Sequence, residues 1–316
     1  MATHPLHHPS PSSSAEVPLA VWAVAQTAAP SQRRAGHYHP DCTAHPGKML
    51  PALAARIVTE YCNPGEVVLD PMCGIGTTLL EAARLGRRAV GVELEPRWVA
   101  LATANLDHAL GADNKKGVRR PQLHHGDARA LPALLGRLAG RVDLVVTSPP
   151  YGCDAGIIDK PGWLAGQRLC PPETRNYSTD TANLGHVRGE GYAAALAEVY
   201  AACHQVLRPG GLLVTVTKNT RRAGRCFDLA GTTVSLARAA GFSYLQHVVA
   251  LLGPVRDGRI CARPSFWQLS QTRRVRAAGQ PAHLVVHEDV CVFAKSGTCL
   301  SSGKPTDPQH GLEAGQ

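Results

Sequence analysis

Residues 67–86 read VVLDPMCGIGTTLLEAARLG: a short apolar run ending in an acid, a turn with glycines at 74 and 76, and a stretch at helical spacing. A passage from strand to helix through glycines leaves free backbone N–H groups at the end of a strand, and it commits the chain to a layer in which the next helix covers that strand. The same rhythm continues on either side. Strand-like runs at Val67–Asp70, Ala89–Glu93, Leu123–His125, Val142–Thr147, Leu212–Thr217, Leu245–Leu252 and Leu284–Phe293 give seven strands. Apolar stripes at helical spacing run from Leu50 to Tyr61, from Trp98 to Ala109 and from Tyr192 to Leu207, the last stopped by Pro209, Gly210 and Gly211. The alternation predicts an α/β fold built on a mostly parallel sheet with crossover helices. No convincing helix separates the last two runs, so an antiparallel hairpin is expected to close the sheet.

Domain organisation follows from what breaks this rhythm. Residues 1–36 are expected to be mostly disordered, because residues 1–16 are Pro, Ser and His with few apolar side chains to offset the cost of ordering the backbone. Residues 37–295 form the folded domain, and residues 296–316 read as a second disordered tail. Two polar stretches rich in Gly, Pro and Arg, 152–191 and 253–281, are too long for ordinary connections and read as inserted substrate loops.

The chain carries a formal net charge of +9, which suits a polyanionic partner such as nucleic acid. Its 10 cysteines include no CxxC pair and no His/Cys cluster at ligand spacing, so they read as reduced thiols and no metal is expected. Without a signal-peptide pattern or an apolar run of membrane length, a cytoplasmic location is expected.

Three strand ends converge on one candidate ligand. Gly74 and Gly76 let a ligand approach the backbone; Glu93, at the end of the next strand in GVELEP, stands where a carboxylate accepts hydrogen bonds from ribose hydroxyls; Asp127, in HGDAR, is available to an exocyclic adenine amine. A dinucleotide is disfavoured, since the third glycine of GxGxxG is absent. Asp70 would also repel a phosphate, whereas it can pair with the ammonium of a methionine moiety.

The fourth strand runs directly into Thr147-Ser148-Pro149-Pro150-Tyr151-Gly152. An exocyclic base amine is a poor nucleophile because its lone pair is delocalised into the ring. Hydrogen bonds from such an amine to the Ser148 hydroxyl and the Pro149 carbonyl would draw the nitrogen toward tetrahedral geometry. Pro149 and Pro150 stiffen the loop, and Tyr151 offers a face on which a flipped base can stack.

DPMCGIGTT together with TSPPY resembles the family of S-adenosylmethionine-dependent amino-methyltransferases of nucleic acids, which includes the DNA N4-cytosine and N6-adenine enzymes. HPGKM, at His45–Met49, is similar to the lysine-bearing element that precedes the glycine loop in that family. The resemblance covers residues 38–218. It implies a class I methyltransferase, Rossmann-like, doubly wound seven-stranded sheet with a reversed last strand, and S-adenosyl-L-methionine as cofactor. The implied cofactor residues are Lys48, Asp70, Met72, Gly74, Gly76, Thr77, Glu93, Asp127 and Ala128; the implied catalytic residues are Ser148, Pro149, Pro150 and Tyr151. Met72 departs from the pattern, which has an aromatic after Asp-Pro. Ser at the head of the tetrapeptide is similar to the cytosine-N4 members, so DNA methylation at cytosine N4, or adenine N6, is the leading expectation. The glycine loop precedes SPPY and no large target-recognition domain follows. The same order is similar to that of tRNA guanine-N2 methyltransferases, which makes a tRNA or rRNA guanine the alternative.

The inserts are the expected target surfaces. Arg168, Arg175 and Arg188 with Trp163 and Tyr177 lie in the first; Arg256, Arg259, Arg263, Arg273, Arg274 and Arg276 with Phe266 and Trp267 lie in the second. His283 and His287 are expected to be structural, and Glu288 to tie the closing hairpin.

Overall fold

The structure, a computed structural model, describes residues 17–113, 117–151, 180–187, 189–222, 225–264 and 266–296. In chain order its elements are β1 (Val21–Trp22), α1 (Ala29–Ala35), α2 (Pro51–Tyr61), β2 (Val67–Asp70), α3 (Thr77–Arg84), β3 (Arg88–Glu93), α4 (Pro96–Asp113), β4 (Gln122–His125), α5 (Leu131–Leu135), β5 (Val142–Thr147), α6 (Gly189–Val206), β6 (Leu207–Thr217), β7 (Thr220–Arg222), β8 (Arg225–Phe227), α7 (Leu229–Ala239), β9 (Phe242–Leu251), β10 (Val255–Arg256), β11 (Arg259–Ile260), α8 (Phe266–Ala277) and β12 (His287–Lys295).

The main sheet runs β1-β9-β12-β6-β5-β2-β3-β4, with β12 antiparallel to both neighbours and the other pairs parallel. All seven expected strands are present, and the reversed strand is β12, inserted between β6 and β9. An eighth strand was not anticipated. β1 adds to the β9 edge through Val21↔Val249 and Trp22↔Ala250. Residues 17–36, read from sequence as part of an unstructured leader, therefore carry β1 and α1; Trp22 is buried against the α2 side of the sheet, its ring 6.3 Å from that of Tyr61. The leader before residue 17 and the tail beyond residue 296 lie outside the described residues.

β6 also begins earlier than its composition suggests. Gly210, at φ 73°, and Gly211 carry the strand through the bulge opposite Val142, where a Cβ on Gly211 would stand 3.1 Å from the Val142 carbonyl oxygen. The second insert, read from sequence as a substrate loop, carries regular elements. It contains the β10–β11 ribbon, turned at Asp257 and Gly258 with positive φ at both, and then helix α8. The sequence of α8, FWQLSQTRRVRA, has no continuous apolar stripe, which is why periodicity misses it.

Two apolar layers flank the sheet. One packs α2 and α3 with Val68, Leu144, Val214 and Val290; the other packs α5, α6 and α7 with Leu69, Val145, Leu213 and Phe293. Buried strands alternating their side chains between two covered faces give the near-continuous apolar runs read in the sequence. Strand order reverses between β2 and β5, so the turn leaving β2 and the loop leaving β5 emerge side by side at the carboxyl end of the sheet.

Candidate active site

The glycine turn is built by backbone geometry and one acid. Gly74 and Gly76 have φ of 51° and 78°, and Gly76 N–H donates to the Cys73 carbonyl at 2.8 Å. Glu93, buried at the end of β3, accepts from the Gly74 amide at 2.8 Å and from the Glu95 amide at 2.9 Å, joining the two strand ends. Each carboxylate oxygen keeps a second lone pair. Burial raises Glu93 above the usual carboxylate range, while the two amides pull it back. Asp70 is enclosed too. It accepts from the Met72 amide at 3.2 Å and from Thr78, and burial pushes its carboxyl up to about 7. Among the described residues no cation pairs with it. Thr77 is buried at the first position of α3, and Met72 packs beside the α6 side of the sheet.

Segment 38–49 covers this turn. His45 is buried with its ring edge-on to Trp98, centroids 4.6 Å apart, and its Nε2 lies where a Cβ on Gly74 would come within 3.1 Å. Burial and the nearby Lys48 push its imidazole down to about 3. Lys48 donates to the His45 and Thr43 carbonyls, and burial beside Arg33 lowers its ammonium to about 8. Asn105, fully buried on α4, donates to the Ile75 carbonyl at 2.8 Å and accepts from the His39 amide at 2.9 Å. It clamps the glycine turn to the covering segment. Neither His45 nor Asn105 was singled out from sequence; an Asn inside an apolar helical stripe was the available signal for the second.

Asp127, read as available to an exocyclic adenine amine, already carries local partners. It caps the short 3-10 turn at Ala128–Ala130 and is held by the Arg129 amide at 2.8 Å and by the Arg129 guanidinium, which keeps its carboxyl below the usual range despite burial. Ala128 is buried beneath it. A second polar link, missed in the sequence, joins Asn183 to Glu95 at 3.2 Å, both buried, bringing residues 180–187 against the end of β3.

The SPPY loop leaves β5 after the fully buried Thr147. Tyr192 on α6 donates its hydroxyl to the Pro150 carbonyl at 3.0 Å, fixing the loop from below. Tyr151 is partly buried; burial, then the charge of Glu288, drives its phenol well above its ordinary range. Of the expected target residues, Arg168, Arg175, Arg188, Trp163 and Tyr177 fall outside the described residues, as does the Trp267 side chain. Arg256 and Arg259 stand exposed on the β10–β11 ribbon, Arg256 donating to Gln26 at 3.2 Å, and Phe266 is exposed at the start of α8. His287 approaches Asp289 to 3.7 Å on β12, while His247 Nε2 donates to the same carboxylate at 2.9 Å. Among the described residues no group of three potential ligands could hold a metal, and no helix is long and apolar enough to cross a membrane.

The doubly wound sheet with its reversed strand between β6 and β9 is the class I methyltransferase form of the Rossmann-like fold. A DNA methylase family model matches residues 6–104. A tRNA (guanine(10)-N2)-dimethyltransferase of Methanothermobacter thermautotrophicus is 38% identical over 112 residues, 35% of this chain and 30% of that protein. Its counterpart from Methanocaldococcus jannaschii is 36% identical over 110 residues, 34% and 30% of the two chains. The match thus spans less than a third of the length of either relative. Among solved structures, a TehB-like S-adenosylmethionine-dependent methyltransferase of Corynebacterium glutamicum aligns over 81% of this chain and 93% of its own, at 15% identity and a TM-score of 0.41. The Synechocystis magnesium protoporphyrin IX methyltransferase aligns over 84% and 83%, at 13% identity and a TM-score of 0.41.

Proposed function

We propose that this protein transfers a methyl group from S-adenosyl-L-methionine to an exocyclic amine of a nucleic-acid base, and that the base is a guanine of RNA. The observation that carries the reading is the emergence of SPPY beside an acid-lined glycine turn at the point where strand order reverses. The site's chemistry fits the cofactor. Asp70 is an enclosed acid with no cation paired to it among the described residues, suited to a ligand that brings an ammonium; Glu93 retains lone pairs for ribose hydroxyls; Gly74 and Gly76 hold the backbone open between them. When bound, the cofactor supplies an electrophilic methyl on a sulfonium. The protein's own part is positioning and hydrogen-bond acceptance. Ser148 and the Pro149 carbonyl accept from the target amine, while Tyr192, by occupying the Pro150 carbonyl, keeps the loop in the orientation that presents them.

RNA is favoured because the matched relatives are tRNA guanine-N2 dimethyltransferases. DNA cytosine N4 or adenine N6 is the second reading, supported by the DNA methylase family model and by Ser at the head of the tetrapeptide. Transfer of labelled methyl to bulk tRNA and to duplex DNA, followed by nucleoside mass spectrometry, separates them. Methylated guanine amine in RNA is expected; N4-methylcytosine or N6-methyladenine in DNA moves the assignment to the second reading; label in neither polymer defeats both.

A further inference from the structure

Beside the catalytic loop, the carboxyl end of β6 and the start of β12 carry a mixed cluster that the methyl-transfer chemistry does not use. The register sets Thr215 of β6 opposite Thr147 of β5, and Asp289 of β12 opposite Thr217. Lys218 follows Thr217 at the end of β6, the neighbour of β5, and Glu288 precedes Asp289 on β12, the next strand beyond it. Glu288 is partly buried, but its Oε2 is wholly enclosed and has no hydrogen-bond partner among the described residues. Lys218 is half-buried beside it, and the charges of Glu288 and Asp289 oppose the lowering of its ammonium by burial. An enclosed carboxyl oxygen without a partner carries a desolvation cost that a ligand donor would relieve.

We propose that Glu288 and Lys218 read the Watson–Crick edge of the target base and select guanine; this rests on the methyl-transfer reading above. A guanine presenting its N2 amine to Ser148 and Pro149 offers N1–H next along the edge and the O6 acceptor beyond it. A carboxylate accepts N1–H and an ammonium donates to O6, so the pair matches the edge in order. Cytosine and adenine place a bare ring nitrogen where guanine has N1–H, and a carboxylate repels it. The ionisation of Glu288 therefore matters. Burial raises its carboxyl to about 7, Lys218 draws it down and Asp289 raises it further. Tyr151 faces it from the catalytic loop, and His247 and His287 stand on the far side of Asp289.

The test uses the full chain with short single-stranded RNAs that differ at one position, carrying guanosine, inosine, adenosine or cytidine, titrated with S-adenosylhomocysteine present. Wild type is expected to bind the guanosine and inosine strands on the order of tenfold more tightly than the other two, as a well-formed base-edge contact allows. Glu288→Gln keeps an acceptor for N1–H but adds an amide donor that can serve the bare ring nitrogen of cytidine or adenosine, so the preference collapses toward parity. Lys218→Gln weakens guanosine and inosine alike. Melting curves confirm that both variants fold. Loss of the preference in Glu288→Gln supports the proposal even where wild type transfers no methyl, an outcome that would instead sink the proposed activity. A wild type that does not discriminate, or a Glu288→Gln that discriminates as wild type does, overturns the proposal while leaving any observed transfer intact.

Discussion

Two side chains carry opposite expectations at the residue scale. Ser148→Ala removes one of two acceptors proposed for the amine and leaves the fold alone; kcat should fall by roughly two to three orders of magnitude, by analogy with loss of one oriented hydrogen-bonding group. A kcat within a few-fold of wild type would move catalysis away from the serine. Asp70 gives a pH signature instead. Its ordinary value is 3.8 and burial raises it to about 7, so the native state binds the proton more tightly than the unfolded chain. That contribution to stability is complete below 3.8 and is lost as pH rises through about 7. Asp70→Asn should therefore flatten the fall in melting temperature of the ligand-free protein between these values. Cofactor affinity has the reverse sign in wild type: it strengthens as the acid ionises and can pair with an ammonium, and the variant loses that dependence. Identical pH profiles for the two proteins in melting and in isothermal titration would count against the assignment. Much of this placement was legible from residue types and spacing, since Asp70 and Glu93 end neighbouring strands and the two glycines lie in the turn that follows the first. What stayed hidden were the long-range partners. Asp127 looked open because nothing in HGDAR says that Arg129 folds back on it, and Asn105 and Tyr192 act through contacts to segments remote in sequence.

At the scale of elements, strands with two covered faces announced themselves as apolar runs, while elements that depend on a partner did not. β1 is two residues long and exists because the β9 edge accepts it; α8 is a polar helix without an apolar stripe. Close approach between elements is more predictable than either. Gly91, in the middle of β3, lies under α3: a Cβ there would stand 2.5 Å from Leu79 Cδ1 and 2.9 Å from Cys73 Sγ. Gly91→Ala should destabilise the fold by about 1–3 kcal/mol through overpacking, and should weaken cofactor binding because Cys73 heads the glycine turn. A denaturation midpoint equal to wild type would show that α3 can yield. Tyr192→Phe tests the α6–loop link. Losing one hydrogen bond should cost about 0.5–1.5 kcal/mol, and the freed Pro150 carbonyl should lower kcat with cofactor affinity unchanged. Equal loss of kcat and cofactor affinity would instead indicate that α6 itself has shifted.

For the whole molecule the governing quantity is the distribution of a net charge of +9 around a site at one end of the sheet. The carboxyl ends of the strands hold the candidate chemistry, and the β10–β11 ribbon projects from the strand β9 side of the same sheet with Arg256 and Arg259 at its turn. Asp257 and Gly258, both at positive φ, make that turn tight, so the two arginines flank a rigid tip rather than trail from a flexible loop. If the ribbon tracks a nucleic-acid backbone, each arginine releases counterions on binding. Replacing both with alanine should then reduce the slope of log affinity against log salt by about 1.4 on a single-stranded substrate. The ribbon adds little apolar burial to the core, and among the described residues Arg256 bonds to Gln26 and to the Val255 carbonyl, so the melting temperature should not move. Fluorescence titration of a labelled RNA from low to moderate salt measures the slope directly. An unchanged slope with reduced affinity would place the arginines in a contact that is not electrostatic, and an unchanged slope with unchanged affinity would remove the ribbon from the nucleic-acid surface and leave the first insert to supply it.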